Sequence, residues 1–474
     1  MIQSPRNDLR STRRSPLTEG ILIAALLAAA LTACERAQPT DPDRAAPNRP
    51  SLALNPACDP GLGGQTHTDS VLGPETWSRA GNPHRVNTLI HIEGSGVLTL
   101  QPGVLVCFGA AGALRAGNGG RLSAAGLDTA RIVLTAADAD SGWLGVRLAG
   151  TPASASTLSN VRIEHTRNTY ALATHDHHAA AIDSAVIRQN EWGVYLWGQG
   201  SSLRRSRVDT VTSPTIAPGV SLGSVVTWEQ NVVRAAAGVG LAVYGTHGIT
   251  LLGGRIEGSG NVGLAVTTTG AGFVATEPVR VVGSGSYAAE MVVSAFARIY
   301  PTLADQDSLL GSRFDGVIVT GGVLQAWASP GPALPWYVTG DIVVQYYGIL
   351  LPKPGATLIF APGAGVTAQN GGRVVARGTQ AAPIRFTGSG WDGIQLTGSP
   401  TLASYLTNVR MEGAQSVAVI AHHPHPVVID SAVFTQNGGA AWLMSTRSRI
   451  SRSRVDTTTS TGGAAVMLSD STRL

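Results

Sequence analysis

The sequence predicts an all-β chain, a parallel β-helix solenoid built from two tandem homologous domains, and three observations carry that prediction. The first is an internal repeat, in which the stretch from Pro83 to about Thr210 returns from Pro335 to about Thr457, a shift of roughly 250 residues. Pro102, Gly103 and Phe108 recur as Pro354, Gly355 and Phe360, Gly142-Trp143 as Gly390-Trp391, and Asn160-Val161-Arg162 as Asn408-Val409-Arg410. The second is a finer period inside each copy. An apolar anchor, then small or polar residues, then Ile or Val recurs at Leu158, Ile182, Leu203, Trp228 and Leu251, every 21 to 25 residues, and again at Leu406, Ile429 and Ile450. These segments are short, rich in Val, Ile and Thr, and broken by Gly, Asn and Ser, so they read as strands of one solenoid rung rather than as helices. The third is composition: 58 glycines with only 5% aromatics suit a narrow stack with tight corners and an aliphatic interior.

From the N-terminus, Arg10, Arg13 and Arg14 precede an apolar run from Ile21 to Leu31, which is too short to span a bilayer as a mature helix. It ends in Leu31-Thr32-Ala33-Cys34, which resembles the lipobox of bacterial lipoproteins. That resemblance implies cleavage before Cys34, lipidation of its thiol and, with Glu35 following, a place at the outer membrane or cell surface of the bacterial envelope. Residues 1–34 are thus expected to be a lipoprotein signal peptide. Residues 35–75 begin with a Pro-, Asp- and Arg-rich stretch without apolar periodicity, a tether leading into an N-terminal segment. Cys58 and Cys107 form an even pair in an oxidising compartment, read either as a disulfide or as two buried thiols.

The first β-helix domain is placed at residues 76–330 and the second, which looks incomplete, at 331–474. Here the chain resembles the right-handed parallel β-helix proteins of the pectin-lyase-like superfamily, specifically bacterial exported members with a Pro-Gly strand pair and a Trp-x-Gly strand. The matching residues are Gln101-Pro102-Gly103-Val104 with Trp143-Leu144-Gly145-Val146, and Lys353-Pro354-Gly355-Ala356 with Trp391-Asp392-Gly393-Ile394. The resemblance covers about residues 76 to 474. It implies the fold and leaves the activity open, because this superfamily mixes lyases, glycosidases, adhesins and proteins of no known reaction.

Stacking the rungs on their anchors puts Glu164, Arg188, Asp209, Arg234 and Glu257 in one outward column, with alternating sign. The neighbouring column reads Arg162, Val186, Arg207, Val232 and Arg255. Rungs of a parallel stack lie about 4.8 Å apart, so each carboxylate is expected between guanidiniums above and below. Two readings stand: a surface salt-bridge ladder, or a groove for an acidic polysaccharide, since arginine binds carboxylates bidentately. Glu164 and Asp209, two rungs apart, also fall near the separation of an inverting glycosidase. The arginine between them opposes a general-acid role. The Asn-Thr-Asp, Asp-Asp and Gly-His-Gly motifs of polygalacturonase-like proteins do not occur, nor does a cluster of Asp calcium ligands on adjacent rungs.

Two turns are rich in histidine: His175-Asp176-His177-His178 before Ile182, and His422-His423-Pro424-His425 before Ile429. His175 and His177 align with His423 and His425, and a His-x-His turn can present both imidazoles to zinc or nickel. An exposed polar turn inherited by duplication is the preferred reading, and no metal or other cofactor is assigned. Trp143 and Trp391, at equivalent places inside strands, are expected in the core rather than as sugar-stacking platforms. Asn190 and Asn437, each after a Gln at a strand end, are read as left-handed corner residues.

The net charge is +4, with arginine supplying nearly all the positive charge and Lys353 the only lysine. The basic residues are dispersed, which argues against nucleic acid as a partner. The expectation is a lipid-anchored envelope protein, a surface binding or structural module with polysaccharide as the candidate ligand. The alternative is a polysaccharide lyase or glycoside hydrolase. Val466-Met467-Leu468 lies near the register of Val220-Ser221-Leu222, so an open last rung is expected to offer an edge for self-association.

Overall fold

Alternation along each short strand dictates the architecture. In Val161–Glu164, Val161 and Ile163 are fully enclosed while Arg162 turns outward, the pattern expected where one face of a sheet packs on a core. The computed structural model describes residues 55–474 apart from 214–217, 224, 246, 268–272, 278, 296–308, 311, 460–464 and 469–474. Cys34, with the rest of the leader and the tether to residue 54, lies outside the described residues.

Each rung contributes strands to three parallel sheets. Ser156–Ser159 belongs to a nine-stranded sheet, Val161–Glu164 to an 11-stranded sheet and Tyr170–Thr174 to a 16-stranded sheet. The next rung repeats them in register, pairing Leu158 with Ile182, Ile163 with Ile187 and Leu172 with Val194. The anchors continue from Ile182 through Leu203 and Trp228 to Leu251, all buried, as a column through the interior. The protein is a parallel β-solenoid.

One residue turns each of two corners of the rung. Between the first two strands the left-handed residue is Asn160, Ser184, Arg205 or Gln230, with φ of 48°, 52°, 44° and 52°. After the second strand it is His165, Gln189, Thr210 or Ala235, with φ of 65°, 55°, 54° and 50°. A single left-handed residue reverses the local bend of an extended chain, at a steric cost offset by the stacking of successive corners. At this second corner the sequence reading of Asn190 and Asn437 needs correction, because the left-handed residues are Gln189 and Gln436. Asn190 is instead buried inside the corner. Its Oδ1 accepts from the Thr166 N–H at 2.9 Å and its Nδ2 donates to the Ile163 carbonyl at 3.1 Å. Asn437 makes the same clasp to Ala414 and Met411 at 2.9 Å each. An amide that supplies donor and acceptor together satisfies two backbone groups of the previous rung that no ladder reaches.

The duplicated aromatics fill the core. Trp143 stacks on Phe108 at 3.9 Å between centroids and donates its indole N–H to the Glu164 carbonyl at 2.8 Å. Trp391 stacks on Phe360 at 4.6 Å and donates to the Glu412 carbonyl at 2.9 Å. Both indoles are fully buried, so neither is a platform for sugar.

The two copies share one stack. The 16-stranded sheet runs without a break from Leu89–Ile92 to Arg454–Val455, across the boundary set at residues 330 and 331. One continuous set of buried side chains extends from Val71 to Ile450. The copies are rotated relative to each other by one face. Val161–Glu164 lies in the 11-stranded sheet, whereas its counterpart Val409–Ala414 lies in the 16-stranded sheet. Likewise Val146–Leu148 lies in the 16-stranded sheet and its counterpart Ile394–Leu396 in a seven-stranded one. The strand Val466–Leu468 pairs with Gly439–Leu443, as Val220–Leu222 pairs with Trp192–Leu196.

Cys58 and Cys107 are joined as a disulfide, with Cα atoms 5.7 Å apart. Cys107 stands in the outward column of the 11-stranded sheet that continues through Thr135 to Glu164. The bridge therefore lays residues 55–58 over the first strands of that face, where the Asn55 N–H donates to the Ala137 carbonyl at 3.1 Å.

Candidate functional site: an arginine-faced sheet

The outward columns of the 11-stranded sheet follow from the register. Arg162, Val186, Arg207, Val232, Arg255 and Arg280 succeed one another, and beside them run Glu164, Arg188, Asp209, Arg234 and Glu257. Every rung from Arg162 to Arg280 thus places one arginine on this face, alternating between the columns until Arg255 and Arg280 fall in the same one. Six arginines share the strip with three carboxylates.

The ion pairing differs from the expected ladder. Glu164 pairs with Arg188 of the next rung at 2.9 Å and with Arg162 of its own strand at 3.2 Å. Glu257 likewise pairs with Arg234 of the rung before and Arg255 of its own strand. Asp209 is taken by Arg207 on its own strand, rather than by Arg188 and Arg234 above and below it. The reason is geometric: residues two apart on a strand project from the same face, and an arginine is long enough to fold sideways onto its neighbour. The strip is therefore three clusters, two of them with an arginine in excess.

Depth separates the two signs. The side chains of Glu164, Asp209 and Glu257 are 4%, 13% and 19% exposed, whereas the five paired arginines are between 36% and 49% exposed. The carboxylates form a floor and the guanidiniums a roof. A solute approaching this face meets an almost wholly cationic layer.

At the N-terminal end the strip runs into a cleft of about 460 Å³ between the disulfide-held segment and the sheet, lined by Asn55, Pro56, Leu105, Arg162, Glu164, His165 and Arg188 among others. His165 donates from Nε2 to the Gln189 side-chain carbonyl at 3.1 Å, which leaves Nδ1 to accept from the Thr135 hydroxyl at 3.2 Å. Burial pushes this imidazole below its ordinary value, with Glu164 opposing.

The second copy builds a related face on the 16-stranded sheet. Thr357, Arg385, Arg410, Val433 and Arg454 form one column, and Thr387, Glu412 and Thr435 the other. They line a cleft of about 390 Å³ together with Asp456, which pairs with Arg454 at 2.6 Å. Threonines at 387 and 435 leave this face with fewer charges than the first.

The histidine turns do not converge on a metal. His178, rather than His177, is the counterpart of His425: both are fully buried and make identical hydrogen bonds. His177 and His423 are exposed, and His175 packs against the Tyr195 ring at 5.2 Å. Among the described residues no three His, Cys, Asp or Glu side chains are grouped for a metal ion. The sequence reading also missed the corner pairs Asp183–Arg205, bidentate at 3.0 and 2.6 Å, and Arg204–Glu229 at 3.3 Å. Their rung spacing was available as a signal.

The fold and this face define a β-solenoid with a cationic, arginine-roofed sheet. No family model matches the chain, and no curated protein matches it. Among solved structures it aligns with a mutant of the PL6 family alginate lyase AlyGC at 9% identity, over 87% of this chain and 96% of that one, with a TM-score of 0.12. A likeness that loose has no bearing on the fold or the chemistry of this chain.

Proposed function

We propose that this protein is a binding scaffold for an acidic polysaccharide, held at the bacterial cell envelope through a lipid on Cys34, with the polymer lying along the arginine strip. The observation that carries this reading is one guanidinium per rung, exposed above a floor of buried carboxylates. With rungs about 4.8 Å apart, the strip offers a row of charges at a spacing comparable to one sugar unit. Guanidinium groups bind carboxylates through paired N–H donors. Each such contact at an exposed face is weak, so affinity comes from many contacts made along one chain. The disulfide fits an oxidising compartment outside the cytosol.

The test is calorimetry of the mature protein with polygalacturonate, alginate and neutral dextran at low and raised salt. The expected result is binding of both uronates, weakened by salt, with no binding of dextran. It should weaken in Arg207→Gln/Arg234→Gln/Arg255→Gln at an unchanged thermal midpoint. Equal binding by that variant, or by dextran, overturns the reading.

A further inference from the structure

On the 16-stranded sheet of the first copy, the outer face carries aromatic rings where an exposed sheet face is ordinarily polar. Tyr170 meets Trp192 edge-on at 5.1 Å and Tyr195 at 4.8 Å, and Tyr195 stacks on Trp197 at 5.3 Å with planes 5° apart. Trp197 is 40% exposed and Tyr244, two rungs along the same position, is 43% exposed. Between them stands Gly223, where a Cβ would lie 2.7 Å from the Trp197 ring. The Trp197 indole lies over Gly223, in the space a side chain there would take.

The second copy keeps only part of this patch. By strand register Tyr195 corresponds to Trp442, also aromatic, whereas Tyr170, Trp192 and Trp197 correspond to Val417, Gly439 and Met444; the core pair Phe108 and Trp143 is retained as Phe360 and Trp391. The second copy's rungs are thus built without Tyr170, Trp192 and Trp197, so those three rings serve something other than the rung. Arg115 and Arg147 lie in the same outward column, followed by Ala173 and then Tyr195. Both arginines are exposed, and among the described residues neither is ion-paired. The small Ala173 leaves a dip between the guanidiniums and the first ring.

We infer that this face is a second, separate glycan site, in which pyranose rings of an acidic oligosaccharide stack on Tyr195, Trp197 and Tyr244 and a carboxylate is held by Arg115 and Arg147. The C–H face of a pyranose is apolar and weakly positive, and an aromatic face is apolar and weakly negative, so the two pack together. Exposed aromatic area rimmed by charge marks a binding surface, and two unpaired guanidiniums at its edge select an anion. The site lies on a different sheet from the arginine strip and does not depend on it.

Calorimetry and tryptophan fluorescence of the mature protein, with hexagalacturonate and cellohexaose as probes, test this. Hexagalacturonate should bind and perturb the fluorescence saturably. In Arg207→Gln/Arg234→Gln/Arg255→Gln, where the strip is silenced, Trp197→Ala should weaken that binding at least tenfold with an unchanged thermal midpoint, and Arg115→Gln/Arg147→Gln should weaken hexagalacturonate without affecting cellohexaose. The fluorescence response should survive Arg207→Gln/Arg234→Gln, which separates this site from the strip. Equal affinity with and without Trp197→Ala in the triple variant, absence of a saturable response to either probe, or a dimer in solution that Trp197→Ala dissociates, overturns the inference.

Discussion

The Ser156 hydroxyl donates to Nε2 of His178 at 2.8 Å, and both side chains are fully enclosed. The direction is fixed, because Nδ1 of His178 faces the Ala149 carbonyl at 2.9 Å and must carry the proton, while Ser156 Oγ accepts from the Leu122 N–H at 3.0 Å. The chain of donors thus crosses successive rungs. Val374, Ser404, His425 and Thr397 repeat it in the second copy at 3.1, 2.8 and 2.9 Å. A serine on a bare imidazole nitrogen has the makings of a nucleophile, but a polymer cannot reach an enclosed hydroxyl, so this pair ties rungs together.

Acid should therefore weaken the fold. Burial pushes His178 and His425 below their ordinary value, and His84 with them. An unfolded histidine takes up its proton near pH 6.5, whereas these folded ones do so only at lower pH. Below about pH 6.5 the unfolded state then binds more protons, and stability falls as pH falls. The thermal midpoint should be flat above pH 7 and decline from about 6.5 downward. His178→Gln/His425→Gln should start lower at pH 7.5 and show a shallower acid slope, and an unchanged slope would show that other groups carry it.

Trp143→Ala removes a fully buried indole stacked on Phe108 and orphans the Glu164 carbonyl. A loss of about 3–5 kcal/mol is expected by denaturant unfolding, the range for a large aromatic truncated in a core. A loss below about 1 kcal/mol would mean that the rung collapses around the cavity.

Asp209→Asn should cost less than about 1 kcal/mol, because the Arg207 left without its partner is 49% exposed and stays hydrated. Its effect should travel through Arg207, the partner on its own strand. The double variant Asp209→Asn/Arg207→Gln should therefore match the single one, whereas Asp209→Asn/Arg234→Gln should be additive.

Reduction of Cys58–Cys107, or Cys58→Ser, opens a loop of 49 residues in sequence. About 2–4 kcal/mol should be lost, and the wall of residues 55–58 should come away from the strip. Faster amide exchange at Ala57 and Asp59 than at Ile163 in the reduced protein would report that release.

The rung period and the register of both charged columns were legible in the sequence, because an anchor every 21 to 25 residues fixes which outward residues meet. The side-chain partners were not. A column lists what lies above and below, but Arg207 folds sideways onto Asp209, and only side-chain reach decides between the two. The corner was misassigned for a similar reason: Gln189 and Asn190 both tolerate a bend, and burial decides which one clasps the previous rung. His178 was passed over because a lone histidine beside a His-x-His pattern carries no period of its own. The rotation between copies is invisible to a shift of about 250 residues, since the chain between them sets how much of a turn is made. The exposed ring of Trp197 has Met444 at its place in the second copy, so a search built on duplication could not find it.

The most direct test of the account is the dependence of affinity on ligand length. Oligogalacturonates of two to ten units, titrated at low salt into Trp197→Ala to silence the aromatic face, should bind the strip more tightly with each unit up to about six, one per arginine from Arg162 to Arg280. Beyond that length affinity should level off. Affinity that does not change with length, or equal binding after Arg207→Gln/Arg234→Gln/Arg255→Gln, would contradict it.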